Sequence, residues 1–326
     1  MKPSNTELLL YNCKMCPRGC CVNRLSGEAG VCGAVGAGIK IARAALHFWE
    51  EPCISGVNGS GAIFFSHCAL QCVYCQNREI SNGKIGADIT IPRLADIMLE
   101  LQDKGAHNIN LVTPTHYVPQ ILDALDIAKT RGLILPCVYN SSGYETVETV
   151  KLLKGYIDIY LTDFKYSDIY MAQNYSGAGD YSFFANLAIE EMVCQIGPPI
   201  LNSEGLMQKG VIARHLILPG RSFSGIRQAK RIIHHLHECY GNRIYFSIMK
   251  QYTPPLGQFT GEQLELNRKI TDREYIAVID YAERIGVENA YIQYGDAAQE
   301  SFIPAFDLEG VLAEEHRITN DTEKEK

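Results

Sequence analysis

Short apolar runs alternate with longer amphipathic segments along most of the chain. Six runs rich in β-branched and aromatic residues predict strands at Ala62–Ser66, Asn108–Thr113, Leu135–Asn140, Ile157–Phe164, Ile212–Pro219 and Ile244–Lys250. Helical periodicity occupies the intervals, at Ile91–Lys104, Tyr117–Thr130, Gly143–Leu153, Asp168–Ile196 (broken at its glycines) and Ser222–Cys239. This alternation predicts an α/β fold in which helices cover a parallel sheet.

The number of units predicts an incomplete barrel. Six β/α units are fewer than the eight of a closed barrel, so we expect an open, partial (β/α)6 TIM-like barrel. A helix at Asp272–Ile285 and a strand at Ala290–Tyr294 follow it. We therefore expect a Cys-rich N-terminal metal-binding knuckle at 1–55, the barrel at 56–255, an α/β extension at 256–312 and a disordered, charge-rich tail at 313–326.

Composition places the chain among ordinary globular proteins. Of its 326 residues, 46% are hydrophobic and 21% are charged, and the formal net charge is −7. The basic residues are scattered, which argues against nucleic acid as a partner. The first residues lack the features of a secretory signal, and no apolar run approaches the ~18 residues that cross a bilayer. We expect a cytoplasmic protein without membrane contact.

The 12 cysteines carry the candidate chemistry, because a reducing compartment favours metal ligands or catalytic thiols over disulfides. Cys68, Cys72 and Cys75 form a CxxxCxxC loop directly after the first predicted barrel strand. Soft thiolates favour an iron–sulfur centre or zinc, and the lack of a nearby fourth cysteine would leave one iron of a cubane open. The alternatives are a CxxC redox pair at Cys72 and Cys75, or a zinc knuckle completed by a residue such as His67.

A second group of cysteines lies nearer the N-terminus. Cys13, Cys16, Cys20 and Cys32 provide four thiols, and Cys21 is an alternative to Cys20. Four thiolates make a closed site, which suits structural zinc or an auxiliary iron–sulfur cluster, and the spacing does not choose between them. The alternative is a set of ordinary reduced thiols.

Polar residues follow several of the predicted strands. Because the carboxyl ends of parallel strands carry the chemistry of α/β folds, these residues are candidates for the site. They are Thr113, Thr115, His116, Asn140, Ser141, Asp163, Lys165 and Gln251. Glu50 and Glu51, which follow Trp49, are candidates to line the open face of the cluster, but we expect them to form an ordinary surface turn.

The CxxxCxxC loop, with Tyr74 before its last cysteine and a strand before the loop, resembles the radical S-adenosylmethionine (SAM) superfamily. The resemblance implies that Cys68, Cys72 and Cys75 hold a [4Fe–4S] cluster whose open iron binds SAM. It further implies that the reduced cluster cleaves SAM to a 5'-deoxyadenosyl radical. An electron donor of the flavodoxin or ferredoxin type would supply the electron.

Within that superfamily, residues from about 10 to 310 resemble the pyruvate formate-lyase activating enzymes and their uncharacterised relatives. Asp163-Phe164-Lys165 is similar to the Asp-Leu-Lys of those enzymes, which implies that Lys165 contacts the SAM carboxylate and that Asp163 helps to form a cation site. Asn140-Ser141 stands where they have Asp-Thr, and Arg214 lies on the counterpart of their fifth strand.

Two loops depart from the pattern of those enzymes. Thr113-Pro114-Thr115-His116 replaces their Gly-Gly-Glu-Pro, which holds the SAM amino group, and so lacks its carboxylate. Gln251-Tyr252 replaces their Tyr-His. The cofactor-binding residues that the resemblance and the strand ends together imply are Tyr74, Thr113, Thr115, His116, Asn140, Ser141, Asp163 and Lys165.

The resemblance implies a glycyl radical enzyme as the partner that donates a hydrogen atom. One alternative is a radical SAM enzyme that acts on a small molecule or peptide and uses the N-terminal cysteines for an auxiliary cluster. Another is a non-enzymatic iron–sulfur or zinc protein that acts in electron transfer.

Overall fold

A computed structural model describes residues 5–220, 224–255, 259–293 and 303–313. Its strands are β1 Ile39–His47, β2 Ser60–Phe65, β3 Ala87–Ile89, β4 Ile109–Val112, β5 Cys137–Ser141, β6 Ile159–Asp163, β7 Ile200–Leu201, β8 Met207–Leu216, β9 Tyr245–Met249 and β10 Ala290–Ile292. Its α-helices are α1 Asn5–Tyr11, α2 Pro52–Ser55, α3 Arg78–Ser81, α4 Ile91–Asp103, α5 Val118–Thr130, α6 Val147–Leu152, α7 Ile169–Ser176, α8 Tyr181–Ile196, α9 Ser224–Tyr240 and α10 Asp272–Arg284.

The strands form one sheet in the order β10-β9-β8-β6-β5-β4-β2-β1-β3, and β7 pairs with β8. In this order, every neighbouring pair from β10 to β2 is parallel, whereas β1 pairs antiparallel with both β2 and β3, and β7 pairs antiparallel with β8. The predicted α/β fold with a mostly parallel sheet is therefore confirmed, and it is consistent with a partial TIM-like barrel. No helix among the described residues is long and apolar enough to cross a membrane.

Local capping chemistry begins several of the helices. Thr90, Thr146, Asp168 and Thr271 precede α4, α6, α7 and α10, and each side-chain oxygen accepts a hydrogen bond from the backbone N–H three residues later. These contacts satisfy donors that the first helical turn leaves unpaired. The helical segment predicted at Asp168–Ile196, with a break at its glycines, is α7 and α8, and the break begins at Gly177, which has a φ of 57°.

Strand β1 is an element that the sequence pattern did not predict. Its run IKIARAALH is rich in alanine, which has little intrinsic preference for strands, and it is held by backbone pairing with β2. Strand β8 begins at Met207 instead of Ile212 and ends at Leu216 instead of Pro219. Because β1 and β10 join the same sheet, the sheet extends across the predicted boundaries after residues 55 and 255.

The connection from β1 to β2 packs against the sheet face opposite the main helix-covered core. Cys53 and Ile54 of α2 form a buried cluster with residues of three strands, namely Val138, Ile159, Leu161, Met207 and Ile212. The side chain of Asn108 donates a 2.8 Å hydrogen bond to the carbonyl of Ile54. This connection, residues 48–59, therefore plugs the interior of the partial barrel.

Truncation of the plug should destabilise the fold. Ile54 is fully buried, so we expect Ile54→Ala to lower the free energy of unfolding by about 2–5 kcal/mol. Ile134 is 85% exposed, and Ile134→Ala should change stability by less than about 0.5 kcal/mol. Urea unfolding followed by circular dichroism measures both variants. Equal effects of the two substitutions would show that the plug does not contribute to the core.

Candidate functional site

The predicted cluster loop and the strand ends surround one cavity of about 170 Å³, which we call the cluster cavity. All three thiols of the CxxxCxxC loop line it. Five of the eight predicted cofactor-binding residues also line it, namely Thr113, Asn140, Ser141, Asp163 and Lys165. These side chains come from the ends of β4, β5 and β6, as expected for the carboxyl edge of a parallel sheet.

The walls of the cluster cavity contain unusual backbone conformations. Three non-glycine residues near it have positive φ angles: His67 at 75°, Gln71 at 47° and Thr113 at 60°. Thr113 is β-branched, for which this conformation is rare, and its N–H donates a 2.8 Å hydrogen bond to the carbonyl of Asn140. Strain of this kind concentrates at functional sites, because surrounding structure must hold it in place.

The three thiols are chemically suited to bind a polynuclear metal centre. Burial raises the pKa of Cys68 and raises that of Cys75 to about 12, and the neighbouring Cys72 adds to both shifts. Three half-buried thiolates close together therefore need positive charge to compensate them, and a cationic metal centre supplies it. The residues present fit a [4Fe–4S] cluster with three protein ligands, and cysteine softness favours iron–sulfur over hard cations.

Within the described ranges, no group of three or more His, Cys, Asp or Glu side chains surrounds a single point as ligands of one metal ion do. This finding is compatible with a cubane at Cys68, Cys72 and Cys75, because each cysteine of a cubane binds a different iron and the thiols stand apart. A second metal, zinc or cluster, at Cys13, Cys16, Cys20 and Cys32 is not shown.

Among the described residues that line the cluster cavity, Lys165 is one of two cations, and Arg214 is the other. The ammonium nitrogen of Lys165 lies 2.5 Å from Oδ2 of Asp163, and this carboxylate raises the pKa of Lys165 against the opposing effect of burial. Burial alone would raise the pKa of Asp163, but Lys165 and Arg214 outweigh it and hold this pKa below its ordinary value. At neutral pH, Lys165 is positively charged, and Asp163 is negatively charged.

The charges continue from Asp163 into the barrel through Arg214, at the end of β8. Each of the three guanidinium nitrogens of Arg214 donates to a different residue: Nε to Asp163 at 2.9 Å, Nη1 to Glu50 at 3.1 Å, and Nη2 to Asn140 at 2.6 Å. Glu50 also accepts from Asn110 at 3.1 Å and from Asn140 at 3.0 Å. Lys165, Asp163, Arg214 and Glu50 thus form a chain of alternating charge.

The prediction that Glu50 and Glu51 form a surface turn is wrong. The Glu50 side chain is 10% exposed, and Glu51 is buried, because the plug carries both residues into the barrel. Burial raises the pKa of Glu51, and Arg214 opposes this effect. Two adjacent glutamates are typical of a solvent-exposed turn. Their entry into the barrel depends on the pairing of β1 with β2, which the local sequence does not indicate.

Three predicted cofactor-binding residues do not line the cluster cavity, namely Tyr74, Thr115 and His116. Tyr74 is buried and accepts a hydrogen bond from the hydroxyl of Tyr166 at 2.8 Å. A tight turn after β4 directs Thr115 and His116 into the protein. His116 Nε2 contacts the carbonyl of Ser66 at 2.8 Å, and burial lowers the pKa of His116 to about 3.

Thr115 contacts a buried carboxylate that the sequence pattern did not indicate. Its hydroxyl donates to Glu145 Oε1 at 2.6 Å, and the hydroxyl of Tyr139 donates to Oε2 at 3.2 Å. Burial raises the pKa of Glu145 to about 8 despite these two hydrogen bonds. Glu145 is therefore largely protonated at neutral pH, in contrast to Asp163.

Glu145 should make the stability of the fold depend on pH. Its pKa in the folded state lies above the ordinary value of 4.5, so its stabilisation is complete below about pH 4.5 and is lost as the pH rises through about 8. We expect wild type to lose on the order of 3 kcal/mol more than Glu145→Gln between about pH 5 and 8. Urea unfolding at both pH values measures this difference, and equal losses would contradict it.

The N-terminal cysteine segment packs on the cluster loop. Arg18 donates hydrogen bonds to the carbonyls of Ala69 at 3.0 Å and Ser176 at 2.7 Å, and the Gln71 side chain donates to the carbonyl of Val31 at 2.9 Å. Ser176 in turn lies 3.1 Å from the sulfur of Cys72. The two groups of cysteines therefore belong to one contiguous region, although they are separate in sequence.

Comparison with known proteins supports the chemistry of the cluster loop. Residues 62–183 match the model of the radical SAM superfamily, and this segment contains the three thiols, Asp163 and Lys165. Over 304 residues the chain is 29% identical to an uncharacterized protein of Methanocaldococcus jannaschii, an alignment that covers 89% of this chain and 80% of that protein. The superfamily resemblance is confirmed over the matched segment, and the resemblance to pyruvate formate-lyase activating enzymes stays a prediction.

Proposed function

We propose that this chain is an enzyme that holds a [4Fe–4S] cluster through Cys68, Cys72 and Cys75 and reductively cleaves SAM. The observation that carries the proposal is that these thiols share one cavity with the cation Lys165. The superfamily match over residues 62–183 supports the same chemistry. Reductive cleavage of SAM to a 5'-deoxyadenosyl radical is the chemistry that a cluster supplies when bound at these residues.

The chain's own residues would bind and orient SAM. Lys165 is placed to pair with the SAM carboxylate, since ammonium–carboxylate hydrogen bonds are among the strong ones in proteins. Asp163 holds the ammonium group of Lys165 in position, and Arg214 holds Asp163. Both oxygens of Asp163 are taken by these two cations, so we assign Asp163 the orientation of Lys165 in place of a separate cation site.

The uncharged residues of the cluster cavity would bind the remaining polar groups of SAM. Ser141 and Thr113 present their side chains at neighbouring strand ends. The loop that begins at Thr113 differs from that of the activating enzymes and lacks their carboxylate. Carbonyl and hydroxyl oxygens would therefore accept the hydrogen bonds of the SAM amino group. The apolar part of the wall consists of Phe65, Leu70, Ile80 and Val112, and it limits the access of water.

Electron paramagnetic resonance tests this proposal directly. We expect the reduced, cluster-loaded protein to give a cluster signal that changes when SAM is added, because SAM would bind the open iron. A signal that SAM leaves unchanged would favour the alternative of a non-enzymatic electron-transfer protein. Lys165→Met is a useful comparison, since it should require a higher SAM concentration for the same change.

The N-terminal cysteines supply a second proposed metal site. The N-terminal segment contacts the cluster loop through Arg18 and Gln71. This contact favours a metal that either stabilises the loop or exchanges electrons with the cluster that the loop would hold. Metal analysis distinguishes the two forms: ~4 iron and one zinc per chain indicate structural zinc, and ~8 iron indicate an auxiliary cluster. An auxiliary cluster would favour the second candidate function, oxidation of a small molecule or peptide.

We further propose that the hydrogen atom comes from a glycyl residue of a partner enzyme and that a flavodoxin or ferredoxin in the cytoplasm donates the electron. The support is the ordered resemblance of Asp163-Phe164-Lys165 and Asn140-Ser141 to the activating enzymes. Tracing of deuterium from labelled cell extract into 5'-deoxyadenosine would identify the donor. Deuterium transfer from a small-molecule fraction alone would contradict the glycyl proposal.

A further inference from the structure

A second cavity, of about 150 Å³, adjoins the cluster cavity, and we call it the inner cavity. The two cavities share four lining residues, namely Asn77, Val112, Asn140 and Arg214. The inner cavity also shares His47, Trp49, Phe64 and Pro304 with a third cavity of about 140 Å³. Trp49 is 59% exposed, so a ligand can reach the inner cavity from solvent and lie beside the contents of the cluster cavity.

The charged groups of the inner cavity are already compensated. Glu50 and Arg214 are the charged residues among its described lining, and they pair with each other at 3.1 Å. All three guanidinium nitrogens of Arg214 donate to protein groups, and both oxygens of Glu50 accept hydrogen bonds. A charged ligand would have to break this network, and disrupting a buried ion pair typically costs about 3–5 kcal/mol.

The other polar side chains of the inner cavity are uncharged. Gln76, Asn77, Asn140 and Gln251 carry carboxamides, which both donate and accept hydrogen bonds. Asn140 is engaged by Glu50 and Arg214, and Gln251 is engaged by Gln293. The amide nitrogen of Gln76 donates to the carbonyl of Gln251, so Asn77 and the amide oxygen of Gln76 are the carboxamide groups offered to a ligand. Burial and the nearby Arg43 lower the pKa of His47 to about 4, so its imidazole is neutral at neutral pH. This set of groups matches a ligand that itself both donates and accepts without net charge.

We propose that the inner cavity binds the hydrogen-atom donor through an uncharged, amide-bearing group, and that Glu50 excludes anions by occupying Arg214. The inference rests on the proposed function, because the cluster cavity beside it is where SAM would be cleaved. Glu50 acts here as a specificity-determining residue. Its removal leaves Arg214 with one fewer anionic partner inside a largely buried pocket.

Trp49 provides the measurement, since it is the single tryptophan of the chain and lines the inner cavity. Its fluorescence is followed in the cluster-loaded protein during titration with N-acetylglycinamide, sodium acetate and methylammonium chloride at constant ionic strength. We expect a saturable response to N-acetylglycinamide and at least tenfold weaker binding of the two ions. An ion that binds as tightly as the amide, or no saturable response to the amide, would overturn the proposal.

Glu50→Gln reverses the expected selectivity. We expect this variant to bind acetate at least tenfold more tightly than wild type does, because Arg214 becomes available to an anion. Glu100→Gln is the matched control, since Glu100 pairs with Arg93 elsewhere in the fold and its loss should leave acetate binding unchanged. Unchanged acetate binding in a folded Glu50→Gln protein would refute the role of Glu50.

If Glu50→Gln does not fold, Glu50→Asp is measured in its place. It keeps the negative charge, so acetate should stay at least tenfold weaker than N-acetylglycinamide, and equal binding would refute the proposal. These titrations involve no SAM cleavage. If the protein cleaves SAM but does not show the expected ligand selectivity, only the proposal for the inner cavity is rejected. If the protein does not cleave SAM, the proposed function is rejected.

Discussion

Cys72→Ala is expected to abolish SAM cleavage and to remove most of the iron bound by the loop. Cys72 lines the cluster cavity, and its charge interacts with Cys68, Cys75 and Lys165, so it is central to the thiol group. Two remaining thiols cannot hold a cubane that requires three protein ligands. Iron analysis and chromatography of 5'-deoxyadenosine, both under anaerobic conditions, measure the two losses.

The matched control for Cys72→Ala is Cys194→Ala. Cys194 is exposed on α8 and belongs to neither group of cysteines. We expect Cys194→Ala to retain the iron content and the SAM cleavage of wild type. If Cys72→Ala also retained both, the assignment of the loop as the cluster site would be wrong.

Arg214→Met is expected to lower the free energy of unfolding by about 3–5 kcal/mol, because it removes the cation paired with the largely buried Glu50 and one of the two cations paired with Asp163. Asp163 and Glu50 both lose an ion pair in this variant, at sites where their side chains are 15% and 10% exposed. The variant should also weaken SAM binding, since Asp163 would no longer be fixed beside Lys165. Urea unfolding measures the loss of stability.

Arg131→Met tests whether burial of the ion pairs explains the stability that Arg214→Met is expected to lose. Arg131 forms a 2.5 Å ion pair with Asp96, but the two side chains are 49% and 38% exposed. Exposed pairs contribute about 0–1 kcal/mol, so this variant should unfold nearly as wild type does. Equal losses in both arginine variants would contradict the account of a buried charge network.

Local patterns predicted the parts of the site that lie close together in sequence. The spacing of Cys68, Cys72 and Cys75 and the position of Lys165 at a strand end are visible in the sequence, and the structure places them around one cavity. The β/α alternation likewise predicted the parallel strands β2, β4, β5, β6 and β9 within a few residues. Periodicity and strand-end chemistry are local properties, which explains this agreement.

The missed features depend on contacts between distant segments. Glu50 becomes a site residue only because β1 pairs with β2 and carries the plug into the barrel, where Arg214 lies 164 positions later in sequence. His116 follows a strand, as catalytic residues often do, yet a tight turn directs it toward Ser66 and away from the cavity. No local pattern distinguishes these outcomes from their alternatives.

We propose above that the thiols at Cys68, Cys72 and Cys75 support reductive cleavage of SAM. The most direct test is to incubate the anaerobically reconstituted protein with SAM and a strong reductant and to quantify 5'-deoxyadenosine. We expect wild type to release 5'-deoxyadenosine, and we expect no release without reductant or from Cys72→Ala. Absence of release from cluster-loaded wild type, or equal release from Cys72→Ala, would contradict the proposal.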